Sequence, residues 1–487
     1  MNSDIEALEP KVLWENFIKL NAVPRPSKKE ERVVQMIKDF GAQLSLETLS
    51  DEVGNVLIKK PATPGMENRQ TVVLQAHLDM VHQKNADTNF DFLTQGIEMF
   101  IEDDWVKAKG TTLGADNGIG VATIMATLAS DSIPHPAIEA IFTIDEETGM
   151  TGAKELKTDW LTGSVLLNLD TEEDDEIGIG CAGGVDFTAT LPYTPVPVHD
   201  QYRTYELAVR GLQGGHSGMD IIKGLGNANK IMNRLLHSLV FEHNTQIQAI
   251  QGGSLRNAIP RESFATIAIP LTQASAITDA VQGVAKTITN ELLPLEKGLQ
   301  ITLEPKDSNG LCIPDETAKA FVRSMYAAHN GVYTMSLTIP GLVATSNNIA
   351  KVTVDANEIR VDCLVRSSID TEKQNLVNAL TAAFELSGFT ITTGGDYPGW
   401  EPNPNSELVQ LVKQQYEKIN GSSPEVLACH AGLECGILGE KYPEIDMVSF
   451  GPTIKGAHSP DERVSIPSVQ KYWTLYTSVL ENIPERN

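Results

Sequence analysis

The sequence predicts an α/β protein: a mixed central sheet flanked by helices, with an α+β domain of two similar lobes inserted into it. Three observations carry this. Short β-branched runs alternate with stretches of helical spacing through the first part of the chain. Several of those runs, VVLQAHLDM, AIEAIFTIDEE and SVLLNLD, end in polar residues, as strands do whose C-terminal ends build a site. Between them and the C-terminus the texture changes to a strand, helix, strand order that occurs twice. At 487 residues the chain is also too long for one ordinary core. The expected organisation is a first catalytic segment over 1–184, an inserted lid over 185–397 and a second catalytic segment over 398–487.

Val12, Leu13, Phe17 and Ile18 have helical spacing after Pro10, and Val33, Val34 and Ile37 mark a second helix within Glu30 to Phe40. NVLIKK and TVVLQAHLDM read as strands separated by the turn-rich PATPGMEN. WVKAKG is a short strand leading into TTLGADNGIG. Beyond that loop Ile119, Val121, Ile124, Met125 and Leu128 recur as on a helix, so Asp116 stands where an Asp commonly caps free amides. In the insert, YELAVRGL, the helix GNANKIMNRLLHSLV and FATIAI form one lobe. KVTVDANEIRVDCLVRS, the helix EKQNLVNALTAAFELSG and FTITTGG form the other. The chain then returns to the helix ELVQLVKQQYEKING, the strand MVSFGP and a closing helix from Ser468.

Composition narrows the function. With 64 acidic against 38 basic residues the formal net charge is -26, which repels phosphate backbones and anionic lipid surfaces. No nucleic acid or membrane partner is expected. Five scattered cysteines without a CxxC pair argue against a disulfide framework and a thiolate zinc site, and the N-terminus lacks a basic patch followed by an apolar run. A cytoplasmic protein is expected. GIGCAGG satisfies G-x-G-x-x-G at Gly178, Gly180 and Gly183, but a dinucleotide fingerprint must open a helix and the strand-like VDFTATL follows. Those glycines read as a hinge.

His77, Asp116, Glu147, Asp170 and His458 are individually weak candidates, since each has an ordinary reading as a cap, a packing group or a surface charge. Together, at strand and loop ends, two imidazoles and three carboxylates suit a pair of zinc ions, with Asp116 the natural bridge. Asp79 lies two residues from His77 on the same side of a strand and can accept the other imidazole N–H. Glu146 and Glu147 point different ways if both are extended, leaving one to bind metal and the other free to take a proton from a water.

HLDMV, TLGADNGIG, DEETG, NLD, GLQGGHSG, LRNAIPRE, HAGLECG and GPTIKGAHSPDE together resemble the co-catalytic zinc metallopeptidases, the family of aminoacylases and cytosolic dipeptidases, and within it the Xaa-His dipeptidases. The resemblance runs over nearly the whole chain. It implies a zinc-peptidase catalytic domain holding two zinc ions, replaceable by cobalt or manganese. His77, Asp116 and Asp170 would serve one ion, and Asp116, Glu147 and His458 the other, with Asp79 orienting His77 and Glu146 as general base.

The resemblance further implies that His216 polarises the scissile carbonyl and that Asn257 and Arg366 hold the substrate carboxylate. Gly432 looks like a backbone contact to substrate, and Glu434 like a support for its loop. The implied substrates are small Xaa-His dipeptides such as β-alanyl-histidine, and the implied assembly is a homodimer. One departure stands out: His82 occupies the place after HxDxV where the family usually carries Pro. With the five ligands complete, His82 is expected on the solvent side.

Overall fold

The computed structural model describes residues 2–307, 310–355 and 357–486. They form two compact units: 1–180 with 402–428 and 433–487, and 181–401 with 429–432.

In the first unit, among the described residues, eight strands run in the order Glu47–Ser50, Val56–Lys60, Ile138–Thr143, Val72–His77, Val165–Asn168, Asp446–Ser449, Glu176–Cys181 and Glu425–Cys429. The middle four are mutually parallel, with antiparallel neighbours outside them, so the sheet is mixed. Val72–His77 and Ile138–Thr143 are buried at every position. That continuous burial, without alternation, is what a strand covered on both faces of the sheet shows.

The helix Ala115–Ala129 is buried along nearly its whole length and packs on that strand and on the helix Lys11–Asn21, which contributes Leu13, Trp14, Phe17 and Leu20. Two C-terminal helices, Glu407–Asn420 and Ile466–Asn482, are each started by a serine whose side chain accepts from a backbone amide, Ser406 from Val409 and Ser465 from Ser468. A separate antiparallel sheet joins Ile454–Lys455, Arg463–Ser465, Trp105–Ala108 and Met99–Glu102.

Among the described residues, the main sheet of the second unit is antiparallel and built from two lobes of the same plan. In the first lobe the elements are Tyr202–Arg210, helix Ala228–Glu242, Gln246–Gly252, Ser263–Pro270, helix Ala274–Leu292 and Gln300–Pro305; in the second, Gly183–Pro192, helix Asp315–Ala327, Val343–Val354, Glu358–Ser367, helix Asp370–Glu385 and Thr390–Tyr397. Each is β-α-β-β-α-β, and in each the strands lie in the spatial order fourth, first, third, second. The lobes join through their second strands, Ile250 opposite Val354 and Gly252 opposite Val352. One apolar core beneath the helices, including Phe187, Phe321 and Phe384, serves both.

With six elements in each lobe, the plan departs from the expected three both in number and in chain order. The helix Ala274–Leu292 carries Ile277, Val281, Val284 and Ile288 at helical spacing and packs them on the core, yet it lies outside the three elements expected of its lobe. The first strand of the second lobe precedes the whole first lobe in sequence, so the chain interleaves what the sheet separates. GIGCAGG opens no helix; it spans the end of Glu176–Cys181 and the start of Gly183–Pro192. A Cβ on Gly183 would come within 2.5 Å of the Pro398–Gly399 backbone, which explains a glycine there without a nucleotide.

Phe187 and Phe384 are fully buried with ring centroids 5.9 Å apart. Phe187→Ala is expected to cost about 3–5 kcal/mol, read as a lowered urea midpoint, with metal content unchanged because its core belongs to the second unit. A cost below about 1 kcal/mol would contradict that packing.

Candidate metal centre

In the first unit, strand ends, a helix start and a turn bring together every expected ligand. His77 closes the strand Val72–His77 and is 1% exposed. Its Nε2 lies 3.2 Å from Asp116 Oδ1 and 3.5 Å from Asp170 Oδ1, and its Nδ1 lies 3.3 Å from Asp79 Oδ1. The other oxygen of Asp116 faces His458, whose Nε2 is 3.3 Å from Asp116 Oδ2 and 3.0 Å from Glu147 Oε2. Two groups, His77 with Asp116 and Asp170, and Asp116 with Glu147 and His458, therefore have ligand atoms within 4.8 Å of one another, and Asp116 belongs to both.

Asp116 does not cap its helix. Its backbone (φ -77°, ψ 113°) is non-helical, the helix start has no side-chain cap, and both carboxylate oxygens turn to imidazoles instead. Glu146 and Glu147 also differ from the extended pair expected. They sit in a turn in which Met150 N–H donates to Glu146 O and Asp145 has a positive φ. In that turn both carboxylates come within 4.8 Å of His77 rather than parting. Asp79, fully buried, accepts from the amides of Glu146 (3.0 Å) and Glu147 (3.3 Å), so one carboxylate orients both the imidazole and the glutamate turn.

The electrostatics match a cation site. Burial lowers the His77 imidazole, but Asp170, Asp116 and Asp79 raise it well above its usual value. Hydrogen bonds to Asp116 and Glu147 carry His458 up to about 11. Burial pushes Asp170 up to about 6 against the pull of His77, and raises Glu147 against the pull of His458. Asp116 is held far below the carboxylate range because its two imidazole contacts outweigh burial. Asp170 Oδ1 is buried with no hydrogen-bond partner among the described residues. Such a crowd of buried carboxylates around two imidazoles fits a pair of divalent ions, whose charge would replace the protons.

Other residues lie apart from these ligands. His82 is exposed, with its ring edge-on to Phe92 at 5.8 Å, and belongs to none of the ligand groups. Glu434 is fully buried in the first unit, where Oε2 accepts from Gln75 Nε2 and Thr143 Oγ1, both at 2.6 Å, tying its helix to the strands that carry the site. Two buried charges had no role in the sequence reading. Arg25 gives no signal beside Pro26, while Glu462 lies four residues past His458 inside GAHSPDE.

The second unit holds His216, Asn257, Arg366 and Gly432. Gly215–His216 pairs with Ala258–Ile259, and Ser217 N–H donates to Asn257 O at 2.8 Å, so His216 and Asn257 are neighbours. The Nδ1 of His216 accepts from the amides of Gly218 (3.2 Å) and Met219 (3.1 Å), which leaves the ring proton on Nε2. Burial and Arg366 lower this imidazole, keeping it neutral. Arg366 is 5% exposed, donates to Tyr397 Oη at 3.0 Å and leaves Nε without a partner among the described residues. Gly432 belongs to the short segment Cys429–Gly432, held by Ala182 N–H donating to the carbonyls of Cys429 and Ala431.

Comparison with known proteins agrees with this architecture. The chain is 44% identical over 484 residues, 99% of its length and 100% of the relative's, to the cytosol non-specific dipeptidase of Escherichia coli (strain K12). The crystal structure of an aminoacylhistidine dipeptidase from Vibrio alginolyticus superposes with a TM-score of 0.93 at 44% identity, covering 100% of this chain and 99% of that one. An aminopeptidase PepT structure from Bacillus cereus ATCC 10987, at 17% identity and a TM-score of 0.58 over 98% of this chain and 99% of that one, shares the fold. The family model Peptidase family M20/M25/M40 matches residues 73–482. The chain belongs to the peptidase family M20/M25/M40.

Proposed function

We propose that this protein is a dinuclear metal-dependent dipeptidase acting on small dipeptides, with Xaa-His dipeptides such as β-alanyl-histidine among its substrates. The observation that carries the reading is Asp116, whose two oxygens face two separate imidazoles, 3.2 Å from His77 and 3.3 Å from His458. That is the arrangement of a bridging carboxylate between two ions, and zinc suits the mixed imidazole and carboxylate donors. His77, Asp116 and Asp170 would hold one ion, and Asp116, Glu147 and His458 the other. When bound, the ions supply the positive charge that polarises the peptide carbonyl and lowers the pKa of water.

The remaining steps belong to the chain's own residues. Glu146 takes the proton of the attacking water and returns it to the leaving amine. Burial raises its carboxyl well above the usual range; His77 opposes the rise, and Asp170, Glu147 and Glu434 add to it, a bias towards the pKa that a base working near neutrality needs. Asp79 holds the His77 ring and the Glu146–Glu147 amides in place. His216, neutral with its proton on Nε2, is suited to donate to the developing oxyanion. Arg366 and Asn257 hold the substrate carboxylate, the guanidinium offering a two-pronged donor, and Gly432 offers backbone to the substrate. In this reading 1–184 and 398–487 form the catalytic domain and 185–397 its lid. The name of the Escherichia coli relative supports a cytosolic setting, no helix of the described residues is long and apolar enough to cross a membrane, and a homodimer is the assembly we assign.

Two outcomes test this. With a dipeptide panel including β-alanyl-histidine, metal-stripped protein is expected to be inactive and zinc-restored protein to release histidine. Glu146→Gln should then lose roughly 10²–10⁴-fold in kcat while keeping its metal. Preference for N-acyl amino acids over dipeptides would overturn the substrate class, and parent-like turnover by the variant would remove Glu146 as the base. The second outcome concerns protons. The carboxylates around them raise His77 and His458, which favours their protonated forms in the metal-free site, and metal binding needs them neutral. Loading should therefore release protons, and apparent affinity should rise with pH and fall as pH falls. Calorimetry in buffers of different ionisation enthalpy reads this; loading without proton release would contradict it.

A further inference from the structure

Glu462 has no place among the metal ligands, yet its surroundings are unusual for a carboxylate. It is 2% exposed. Its Oε2 accepts from the amides of Leu113 (2.7 Å) and Gly114 (2.9 Å), and its Oε1 from those of Ala115 (2.7 Å) and Asp116 (3.3 Å). Four consecutive N–H groups thus converge on one side chain, and they belong to the loop that delivers Asp116.

Arg25, 1% exposed, holds the same loop by its opposite polarity. Its Nη2 donates to Gly114 O (2.5 Å) and to Asn21 Oδ1 (3.1 Å), and its Nη1 donates to the carbonyls of Leu78 (3.1 Å) and Asp79 (3.0 Å). Asn21 Nδ2 in turn donates to Leu113 O at 3.0 Å. The guanidinium therefore ties the backbone just past His77 to the backbone just before Asp116. The loop sequence reflects it: a Cβ on Gly114, which has φ +69°, would lie 2.5 Å from Arg25 Nη2, and one on Gly118 would lie 2.7 Å from the same atom.

We infer that Glu462 is a positioning residue, which with Arg25 presets the Leu113–Asp116 backbone so that the Asp116 carboxylate stands between His77 and His458 before any metal arrives. The inference rests on the reading of Asp116 as a bridging ligand. Its physical basis is charge-assisted hydrogen bonding in a dry environment, where each carboxylate–amide contact is stronger than a neutral one. A loop carrying its ligand in the bound geometry needs no reordering when the ions bind. Removing the charge leaves amides of that loop without an acceptor and frees Asp116 to turn.

The test is cobalt(II) titration of metal-stripped protein, followed by visible absorption, for the parent, Glu462→Gln and Glu462→Asp, with far-UV circular dichroism and thermal melts of the metal-free forms. Glu462→Gln keeps the side-chain size and removes the charge; Glu462→Asp keeps the charge and shortens the reach. Cobalt affinity is expected to fall roughly 10–100-fold for Gln and less for Asp, with an altered ligand-field spectrum and folded metal-free protein. Parent-like affinity and spectrum for Glu462→Gln would overturn the inference. So would failure of both variants to fold, which would make Glu462 a stabilising group alone. If the parent binds no cobalt, the metal-centre reading itself fails and takes the inference with it, an outcome distinct from the other two.

Discussion

Everything in the first unit turns on a charge problem at the ends of its parallel strands. Asp79, Asp116, Glu146, Glu147 and Asp170 gather around two imidazoles, and His77 at their centre is 1% exposed. Two like unit charges ~4 Å apart at an effective dielectric of ~20 repel by about 4 kcal/mol. Without cations the cluster favours holding protons, and the directions of its shifts say where: up on His77, His458, Glu146, Glu147 and Asp170, down on Asp79 and Asp116. Asp116, with an imidazole on each oxygen, and Asp79, hydrogen-bonded to His77, are the carboxylates of the cluster held below their usual value.

That problem accounts for much of the surrounding architecture. Four parallel strands at the centre of the mixed sheet supply strand ends that project in one direction. Val72–His77 and Ile138–Thr143 pair in register, His77 opposite Thr143, and so align the imidazole with the glutamate turn. Asp79 then locks that turn through two amides. Asn117 Nδ2 donates to Leu169 O at 2.6 Å, linking the residue after one ligand to the residue before another. Glu434 fastens a C-terminal helix beneath the same strands. Hydrogen bonds to backbone groups and to buried side chains thus fix the segments that carry the ligands.

Much of this was legible in the sequence because it is local. The apolar strands ending in His77, Glu146, Glu147 and Asp170 announce themselves by residue type, and the motifs around Asp116 and His458 supply the remaining expected ligands. What was not legible is what depends on distant pairing. An Asp before a helix looks like a cap, and only the approach of His77 and His458 shows that Asp116 turns away from the amides. The paired glutamates looked extended because the turn at Asp145 depends on a positive φ that its residue type does not announce. The interleaved lobes were beyond reach for the same reason: Gly183–Pro192 pairs with Glu358–Ser367 across the whole first lobe. Arg25 gave no periodic or motif signal, and Glu462, though it ends the motif GPTIKGAHSPDE, showed no role there, since the partners of both are mostly backbone groups on other segments.

The central claim, that the Asp116 cluster holds two ions sharing one carboxylate, is tested most directly by anomalous diffraction from crystals of the zinc-loaded protein. The account predicts two peaks on either side of Asp116, one against His77 and Asp170, the other against Glu147 and His458. A single peak, or a second peak away from Asp116 at a site such as His82, would contradict it.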